Sequence, residues 1–317
     1  MTYFLISIEI LMPIIVLILV GYFLKRTGIA DDHFCAKSSA IVFKIALPVM
    51  LFYNMVNADV AFVIDRGSWI FVGVACGMVL VSFFTAVWIA EKMGWDKPTK
   101  GAFIQGTYRS NYIIIAYAVL ESLFGDAAIL RMSLLTAFVI PLFNVLAVII
   151  LTYHDPEVKK IHPIEVLKSI VKNPLIISIV LGLVIKSFNV EIPTMINNSL
   201  SSIRGMATPL ALINIGAMFS FSINVQDRKP LVMSALLKVV LIPVVFTGVA
   251  IVMGYEGPSL GILFMLFASP TAATSYIMAK AMHSNDTLAA SIVVVTTAAS
   301  FVTIFIGIVL MKAVGLF

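Results

Sequence analysis

The chain of 317 residues is 61% hydrophobic and only 12% charged, and its mean hydropathy is +1.08. A soluble domain of this size cannot cover its surface with so few charges, so the composition excludes a soluble domain, a disordered chain and a nucleic-acid binder. The net charge of +5 is the surplus of Lys and Arg that cytoplasmic loops of an integral membrane protein carry.

The first apolar stretch, 4–24, is long enough to cross a membrane, since a spanning helix needs about 20 mostly apolar residues. The stretch contains Glu9, and its basic pair, Lys25 and Arg26, follows it rather than precedes it. A secretory signal has the opposite charge arrangement. The N-terminal stretch therefore predicts a first transmembrane helix and not a cleaved signal.

Nine more apolar segments follow, which makes ten predicted spans. The segments are 4–24, 36–57, 68–90, 99–123, 127–152, 174–188, 195–220, 230–253, 258–281 and 287–312. A polar, lysine-rich stretch separates the fifth from the sixth. We predict an all-α membrane protein with a first five-helix repeat at 1–152, a cytoplasmic linker at 153–173 and a second five-helix repeat at 174–317.

The charges of the loops predict the orientation. Thirteen Lys and Arg residues fall on the side of the odd-numbered loops, and four (Arg66, Arg131, Lys186 and Lys312) fall on the opposite side. Because cytoplasmic loops carry the excess of positive charge, the odd-numbered loops are predicted to be cytoplasmic. Both termini of this multi-pass protein then lie outside the inner (plasma) membrane.

The two halves of the sequence resemble each other at a shift of 160–161 residues. The matches are Gly21 with Gly182, Lys25 with Lys186, Pro48 with Pro209, Pro98 and Gly101 with Pro258 and Gly261, and Asp126 with Asp286. Each half holds five predicted spans, an odd number, so the second half is predicted to be inverted in the membrane. Inverted repeats are typical of secondary transporters, whose substrate site lies between the repeats.

Spans 4 and 9 contain small and polar residues where a lipid-facing helix would carry leucine and valine. Span 4 includes the stretch 105–112 (QGTYRSNY), and span 9 includes 269–275 (SPTAATS). Transporter sites are usually built from interrupted helices whose freed backbone groups face the substrate. A proline lacks an N–H and breaks or kinks its helix. We predict breaks or hinges at Gly106, Pro48, Pro209 and Pro270.

At the repeat shift, Ser110 and Asn111 fall opposite Pro270 and Thr271, so the two interrupted stretches are predicted to cross near the middle of the membrane. The predicted substrate-binding residues are Arg109, Ser110, Asn111, Ser269, Pro270, Thr271 and Thr274, together with Asn54 and Asn214. The alternative is that the hydroxyl groups bond to their own helical turns and that Pro270 is only a kink. An asparagine in a membrane helix also joins helices at least as often as it serves a substrate.

Arg109 lies about 14 Å into the bilayer if it follows the cytoplasmic end of span 4 by nine residues at 1.5 Å per residue. A guanidinium group at that depth is costly unless it faces water or a partner. Three interpretations stay open: Arg109 faces an anionic substrate, pairs with Glu121 or Glu9, or extends to the membrane surface.

The remaining charges inside spans are also basic. Lys44 and Arg204 are interpreted as side chains that extend to the membrane surface. No Asp or Glu lies deep in any predicted span, although a carboxylate relay for protons or sodium would need one. The deep charges therefore favour an anionic substrate, and coupling to H⁺ or Na⁺ would use backbone carbonyls, hydroxyls and amides.

Motifs of enzymes and metal sites are missing from the sequence. It contains no His-Glu-x-x-His, no Gly-x-Ser-x-Gly and no phosphate-binding glycine loop. Its two cysteines, Cys35 and Cys76, are too few for a disulfide framework. We therefore predict no enzymatic activity, no cofactor and no metal site.

Four stretches resemble the auxin efflux carrier family, which includes the plant PIN auxin exporters and bacterial carriers suggested for malonate, malate and related acids. Residues 21–29 (GYFLKRTGI) and 46–52 (ALPVMLF) look like the opening of that family. Residues 109–111 (RSN) look like its fourth span, and 269–272 (SPTA) look like its ninth. The resemblance runs in order along the whole chain.

This resemblance implies two inverted five-span repeats, a scaffold and a transport domain, spans 4 and 9 that cross at their breaks, and a homodimer formed through a scaffold face. One departure concerns span 4, which in the family usually carries a proline shortly after the Asn. The matching stretch here is Ala116-Tyr117-Ala118.

The leading hypothesis is a secondary transporter that moves a small organic anion across the bilayer by alternating access, with a mono- or dicarboxylate as the expected substrate class. A bile-acid-type sodium symporter or a cation/proton antiporter of similar architecture is the alternative. A membrane-embedded enzyme or a receptor is a remoter one, because catalytic groups and a soluble output domain are both missing from the sequence.

Overall fold

The computed structural model describes residues 2–57, 66–155, 172, 174–188, 190–217 and 227–317, and every regular element within these ranges is a helix. The α-helices are α1 (Thr2–Arg26), α2 (Asp32–Ile41), α3 (Leu47–Val56), α4 (Arg66–Lys92), α5 (Lys97–Tyr108), α6 (Tyr112–Phe124), α7 (Asp126–Tyr153), α8 (Pro174–Ser187), α9 (Thr194–Ala217), α10 (Arg228–Leu236), α11 (Ile242–Val252), α12 (Gly257–Ala268), α13 (Thr274–Ala281) and α14 (Asp286–Val314). Two π-helical turns, Val42–Ala46 and Leu237–Leu241, join α2 to α3 and α10 to α11.

Helices lie over each of the ten predicted segments wherever the residues are described. The fourth and ninth segments are each split into two helices, α5 with α6 and α12 with α13, and the second and eighth each contain a π turn. Most of the predicted linker at 153–173 lies outside the described residues. The division into two five-helix repeats therefore stays a prediction.

Five helical stretches of the described chain are long and apolar enough to cross a membrane. They are His33–Val56, Arg66–Lys92, Ala128–Tyr153, Arg228–Val252 and Asp286–Val314. Two shorter apolar helices, Ile176–Ser187 and Gly257–Ala268, lie among them. Length and composition thus give a multi-pass membrane protein.

The distribution of polar and apolar side chains is the one that a bilayer requires. Large apolar side chains stand exposed along the outer faces of long helices, as Val81, Phe84 and Trp88 do on α4. Hydroxyl and amide side chains such as Gln105 and Ser300 are fully buried. Because lipid cannot satisfy a hydrogen-bonding group, polar side chains of a membrane protein face the interior of the helix bundle.

Each π turn ends two residues before a proline, Pro48 in α3 or Pro243 in α11. A proline inside a helix removes a hydrogen bond and its ring meets the carbonyl four residues earlier. Those carbonyls belong to Lys44 and Val239, both of which lie in the π turns. Widening the helix by a π turn lets the chain continue around the proline. Pro209, a predicted hinge, instead lies inside α9, which runs through it without a break.

The interrupted segments of the two halves begin and end alike. Pro98 lies in the first turn of α5 and Pro258 in the first turn of α12, where a missing N–H costs no helical hydrogen bond. The helices α5 and α12 end at Tyr108 and Ala268, which are 160 residues apart. Gly106, a predicted hinge, lies inside the last turn of α5 and packs against Ile292, so the break falls after it.

Two matched glycines bring helix backbones into contact. A Cβ atom added to Gly21 of α1 would overlap the carbonyl oxygen of Ile213 in α9, and one added to Gly182 of α8 would meet the carbonyl oxygen of Phe52 in α3 at 2.9 Å. Small residues allow such close approach between membrane helices. Gly21 and Gly182 are 161 residues apart, within the predicted repeat shift. The residues that they contact, Phe52 and Ile213, are also 161 residues apart.

We expect Gly21→Ala to destabilise the protein by about 1–3 kcal/mol, the usual cost of overpacking a well-packed contact. The added methyl group meets a backbone carbonyl, which cannot turn away as a side chain would. The melting temperature of the purified protein in detergent measures the effect. Gly73→Ala on α4 is the matched control, because nothing lies within 4 Å of its added Cβ atom. Equal melting temperatures for the two variants would contradict the close contact.

Candidate substrate site at the two helix breaks

The first break comprises Arg109, Ser110 and Asn111, between α5 and α6. Arg109 has extended backbone angles (φ −76°, ψ 136°), which end the helix. The stretch 116–118, where the family usually carries a proline, is instead part of α6 and is mostly buried. Span 4 is therefore interrupted without a proline, as the polar run in its sequence predicted.

The second break runs from Ser269 to Ala273, between α12 and α13. Ser269 has extended backbone angles (φ −64°, ψ 146°), as expected for a residue before proline, because the proline ring disfavours the helical conformation there. Pro270 therefore ends α12 and does not merely bend it. The predicted break at Pro270 is found in the structure.

The two breaks are hydrogen-bonded to each other. The Asn111 N–H donates to the Pro270 carbonyl at 2.7 Å, and the Thr271 hydroxyl donates to the Gly106 carbonyl at 2.6 Å. The Ser110 hydroxyl adds a longer bond of 3.4 Å to the Ser269 carbonyl. These bonds satisfy backbone groups that the helix ends leave free. Each break is thus stabilised by the other.

Arg109 is buried, with 7% of its surface exposed, and its contacts are neutral. Its Nη2 donates to Asn144 Oδ1 at 2.8 Å, and its Nη1 lies against Met278 Sδ. When the Gln105 side-chain amide is oriented so that both its nitrogen and its oxygen are hydrogen-bonded, Gln105 Oε1 accepts a hydrogen bond from Arg109 Nη1 at 3.1 Å. No described carboxylate lies within ion-pair distance of this guanidinium group.

Of the three interpretations for Arg109, the pair with Glu121 is wrong. Glu121 instead faces Arg204, with Oε1 and Nη2 3.4 Å apart. Burial also excludes the interpretation that the side chain extends to the surface. The Glu9 side chain lies outside the described part of the structure. A buried, uncompensated guanidinium group favours a bound anion, because an opposite charge offsets the cost of desolvation.

A cavity of about 250 Å³ lies beside the first break. Its lining residues are Lys44, Arg109, Ser110, Asn111, Ile113, Ile140, Phe143, Asn144, Pro174, Ala272 and Thr274. Water occupies about 30 Å³ in the liquid, so the volume equals that of about eight waters and suits a small organic acid. Both charged residues of the lining are cationic, and the N-terminal ends of α6 and α13, which attract anions, meet there.

Four of the predicted substrate-binding residues therefore line one cavity: Arg109, Ser110, Asn111 and Thr274. Asn111 is the one most available to a substrate, since no described group forms a hydrogen bond with its side-chain amide. Sequence reasoning placed Lys44 at the membrane surface and did not single out Asn144. Asn144 interrupts an apolar run in α7, and this was the signal that could have identified it.

The other predicted residues do not line this cavity and are hydrogen-bonded within the protein. The Ser269 hydroxyl donates to the Met265 carbonyl at 2.6 Å within its own chain segment, and Thr271 and Pro270 join the breaks. Asn54 donates to Ser133 at 3.2 Å.

Asn214 accepts a hydrogen bond from Ser38 at 2.6 Å. Neither Asn54 nor Asn214 lines the 250 Å³ cavity, and each is hydrogen-bonded to a residue of another helix.

A second cavity of about 510 Å³ lies farther along α6. Its polar lining comes from α6 and α9, and apolar residues of α1, α3 and α9 complete it; the polar residues are Tyr117, Glu121, Ser122, Ser201, Arg204 and Thr208. Ile113 lines the first cavity and Tyr117 lines the second. Four helical residues span about 6 Å, so about one turn of α6 separates the two cavities along the helix.

Comparison with known proteins adds two findings. The sequence profile described as "membrane transport protein" matches residues 6–308. An uncharacterized transporter from Methanothermobacter thermautotrophicus is 21% identical over 301 residues, which cover 94% of this chain and 96% of that protein. The match over residues 6–308 includes both helix breaks and both cavities.

Proposed function

This chain belongs to the membrane transport protein family, the auxin efflux carrier family, and we propose that it is a secondary active transporter of a small organic anion. Arg109 carries this proposal. It is buried at the crossing of the two broken helices, lines a cavity and has no described carboxylate partner. A carboxylate in the cavity would supply the missing opposite charge. Its two oxygens could accept two parallel hydrogen bonds from the planar guanidinium group.

The composition of the cavity supports an anion over a cation. Lys44 adds a second positive charge, Asn111 and Asn144 offer amide donors, and no Asp or Glu contributes to the lining. A cation site would need carboxylate or carbonyl oxygens turned inward. A mono- or dicarboxylate of a few carbon atoms matches both this charge and this volume.

We further propose that the two halves are inverted repeats that move by alternating access. The exchanged glycine contacts, α1 with α9 and α8 with α3, support this arrangement, as do helix breaks that begin 160 residues apart. The two cavities on α6 support two access routes that meet near the crossing. A homodimer, as in the family, is part of the same proposal.

Uptake into proteoliposomes tests the proposed substrate class. We expect the reconstituted protein to take up at least one of radiolabelled malonate, malate and indole-acetate, and uptake to exceed that of protein-free liposomes. Imposed sodium and proton gradients, applied separately, identify the coupling ion. Transport of cations with no organic-acid uptake would instead favour the antiporter alternative.

The proposed orientation gives a labelling prediction. In a variant without native cysteines, Ser122→Cys should react with an impermeant maleimide added to intact cells, because Ser122 lines the cavity that we place on the outer side. Lys229→Cys, an exposed position at the start of α10, should react only after the cells are permeabilised. The reverse pattern would show that the protein is inserted the other way round.

A further inference from the structure

Lys238 is a buried lysine that the substrate cavity does not use. It lies in the π turn Leu237–Leu241, is 0% exposed, and its Nζ has no hydrogen-bond partner among the described residues. Lys100, by contrast, has an ion-pair partner: its Nζ lies 2.6 Å from the Glu91 carboxylate. A lysine enclosed without any partner is rare in a protein interior.

The surroundings of Lys238 connect it to the crossing. Its π turn packs against α5 and α12, the helices that end at the two breaks, and against α14. Ser234, one turn before Lys238, receives a 3.0 Å hydrogen bond from the Thr107 hydroxyl of α5. Thr107 precedes the first break by two residues. A rearrangement of the breaks would therefore change the enclosure of Lys238.

The helices packed around Lys238 provide no acid along their buried length. The titratable residues on them are Lys97, Lys100 and Tyr108 of α5, Asp286 and Lys312 of α14, and Arg228 and Lys229 of α10. Neither α11 nor α12 carries any. The Tyr108 hydroxyl donates a hydrogen bond to the Phe143 carbonyl at 3.0 Å. Asp286 is the first residue of α14, at the end of the helix.

An enclosed ammonium group without a counter-charge is strongly disfavoured, so the neutral amine is the form that fits this conformation. Two changes would favour the charged form: an anion at the crossing, or an opening of the enclosure to water. Both changes occur in the transport cycle proposed above.

We propose that Lys238 is the proton-binding site that couples organic-anion transport to proton movement. The inference rests on the proposed transport function. The neutral amine takes up one proton from the side to which the site opens, as the anion enters beside Arg109, and forms the ammonium ion. When the site opens to the other side and the anion leaves, the same N–H bond breaks and the proton is released. No other bond is made or broken.

The test compares wild type with Lys238→Met in proteoliposomes loaded with equal potassium and valinomycin, so that the membrane potential is zero. One pH unit of imposed gradient, acid outside, supports about a tenfold accumulation of labelled malonate per coupled proton. We expect the wild type to reach that ratio and Lys238→Met only to equilibrate malonate. Exchange of labelled for unlabelled malonate at equal pH, which needs no net proton movement, should continue in Lys238→Met.

Lys229→Met is the matched control, since this lysine is exposed on α10, and it should accumulate malonate as the wild type does. Wild-type accumulation by Lys238→Met would overturn the proposal. Loss of exchange in a folded Lys238→Met would also overturn it, because it would place Lys238 in substrate binding.

A second measurement separates this inference from the proposed function. If the wild type takes up no malonate, the melting temperature in detergent, measured across pH, still reports on Lys238. The unfolded chain carries a protonated lysine and the folded protein a neutral one, so raising the pH should stabilise the wild type relative to Lys238→Met. Parallel pH profiles for the two proteins would exclude a neutral buried Lys238.

Discussion

Arg109→Gln should weaken the binding of malonate to the purified protein by about ten- to a hundredfold. A lost charged hydrogen bond costs about 1.5–3 kcal/mol, and each 1.4 kcal/mol is a factor of ten in affinity. Glutamine keeps part of the side-chain volume and a donor for Asn144, so the loss is one of charge rather than of packing. Isothermal titration of the detergent-solubilised protein measures it directly.

Two further variants define the role of Arg109. Arg228→Gln removes an exposed arginine from the start of α10 and should bind malonate as the wild type does. Arg109→Lys keeps the charge but loses the planar pair of donors, so its affinity should fall between those of wild type and Arg109→Gln. Unchanged affinity in Arg109→Gln would place the anion elsewhere, and the cavity that contains Arg204 would be the next place to test.

Thr271→Val should lower stability by about 1–3 kcal/mol and slow transport, because it leaves the Gly106 carbonyl without its partner in a buried site. The Thr271 hydroxyl donates to that carbonyl at 2.6 Å, and valine has the same shape without the donor. The melting temperature and the initial rate of malonate uptake measure the two effects.

The comparison for Thr271→Val is Thr85→Val, which removes an exposed hydroxyl that donates to the Val81 carbonyl of its own helix. It should change neither quantity appreciably. Pro270→Ala keeps the carbonyl that accepts from the Asn111 N–H, so it should slow transport more than it lowers the melting temperature. A stable, fully active Thr271→Val would show that the two breaks do not depend on this bond.

Local chemistry in the sequence pointed to the breaks at 109–111 and 269–273, but not to the unbroken helix around Pro209. Pro270 cannot continue a helix, and the polar run that includes Arg109 has no place on a lipid-facing surface. The auxin efflux carrier resemblance rested on these same stretches, and the family assignment is confirmed by the match over residues 6–308. The number of spans and the inverted repeat depend on more than local pattern, and they stay predictions.

The surroundings of Lys44, Asn54 and Asn214 could not be predicted from the sequence, for a physical reason. The environment of a polar side chain in a membrane helix depends on residues distant in sequence. Lys44 lines a cavity because α6, α7 and α13 meet beside it. Asn54 donates a hydrogen bond to Ser133, 79 residues away. Asn214 accepts one from Ser38, 176 residues away. No pattern within one span can predict such partners.

The thin separation between the two cavities has an electrical consequence. In the proposed orientation, the cavity that contains Lys44 opens toward the cytoplasm and the one that contains Arg204 opens outward, and about one turn of α6 lies between them. Water in both would concentrate the membrane voltage across about 6 Å of protein rather than about 30 Å of hydrocarbon. An unneutralised anion that moves this short distance would cross most of the field, which is worth about 2.3 kcal/mol per charge at 100 mV. Net transport of charge would therefore depend steeply on voltage, although the substrate and the helices around it travel only a few ångströms.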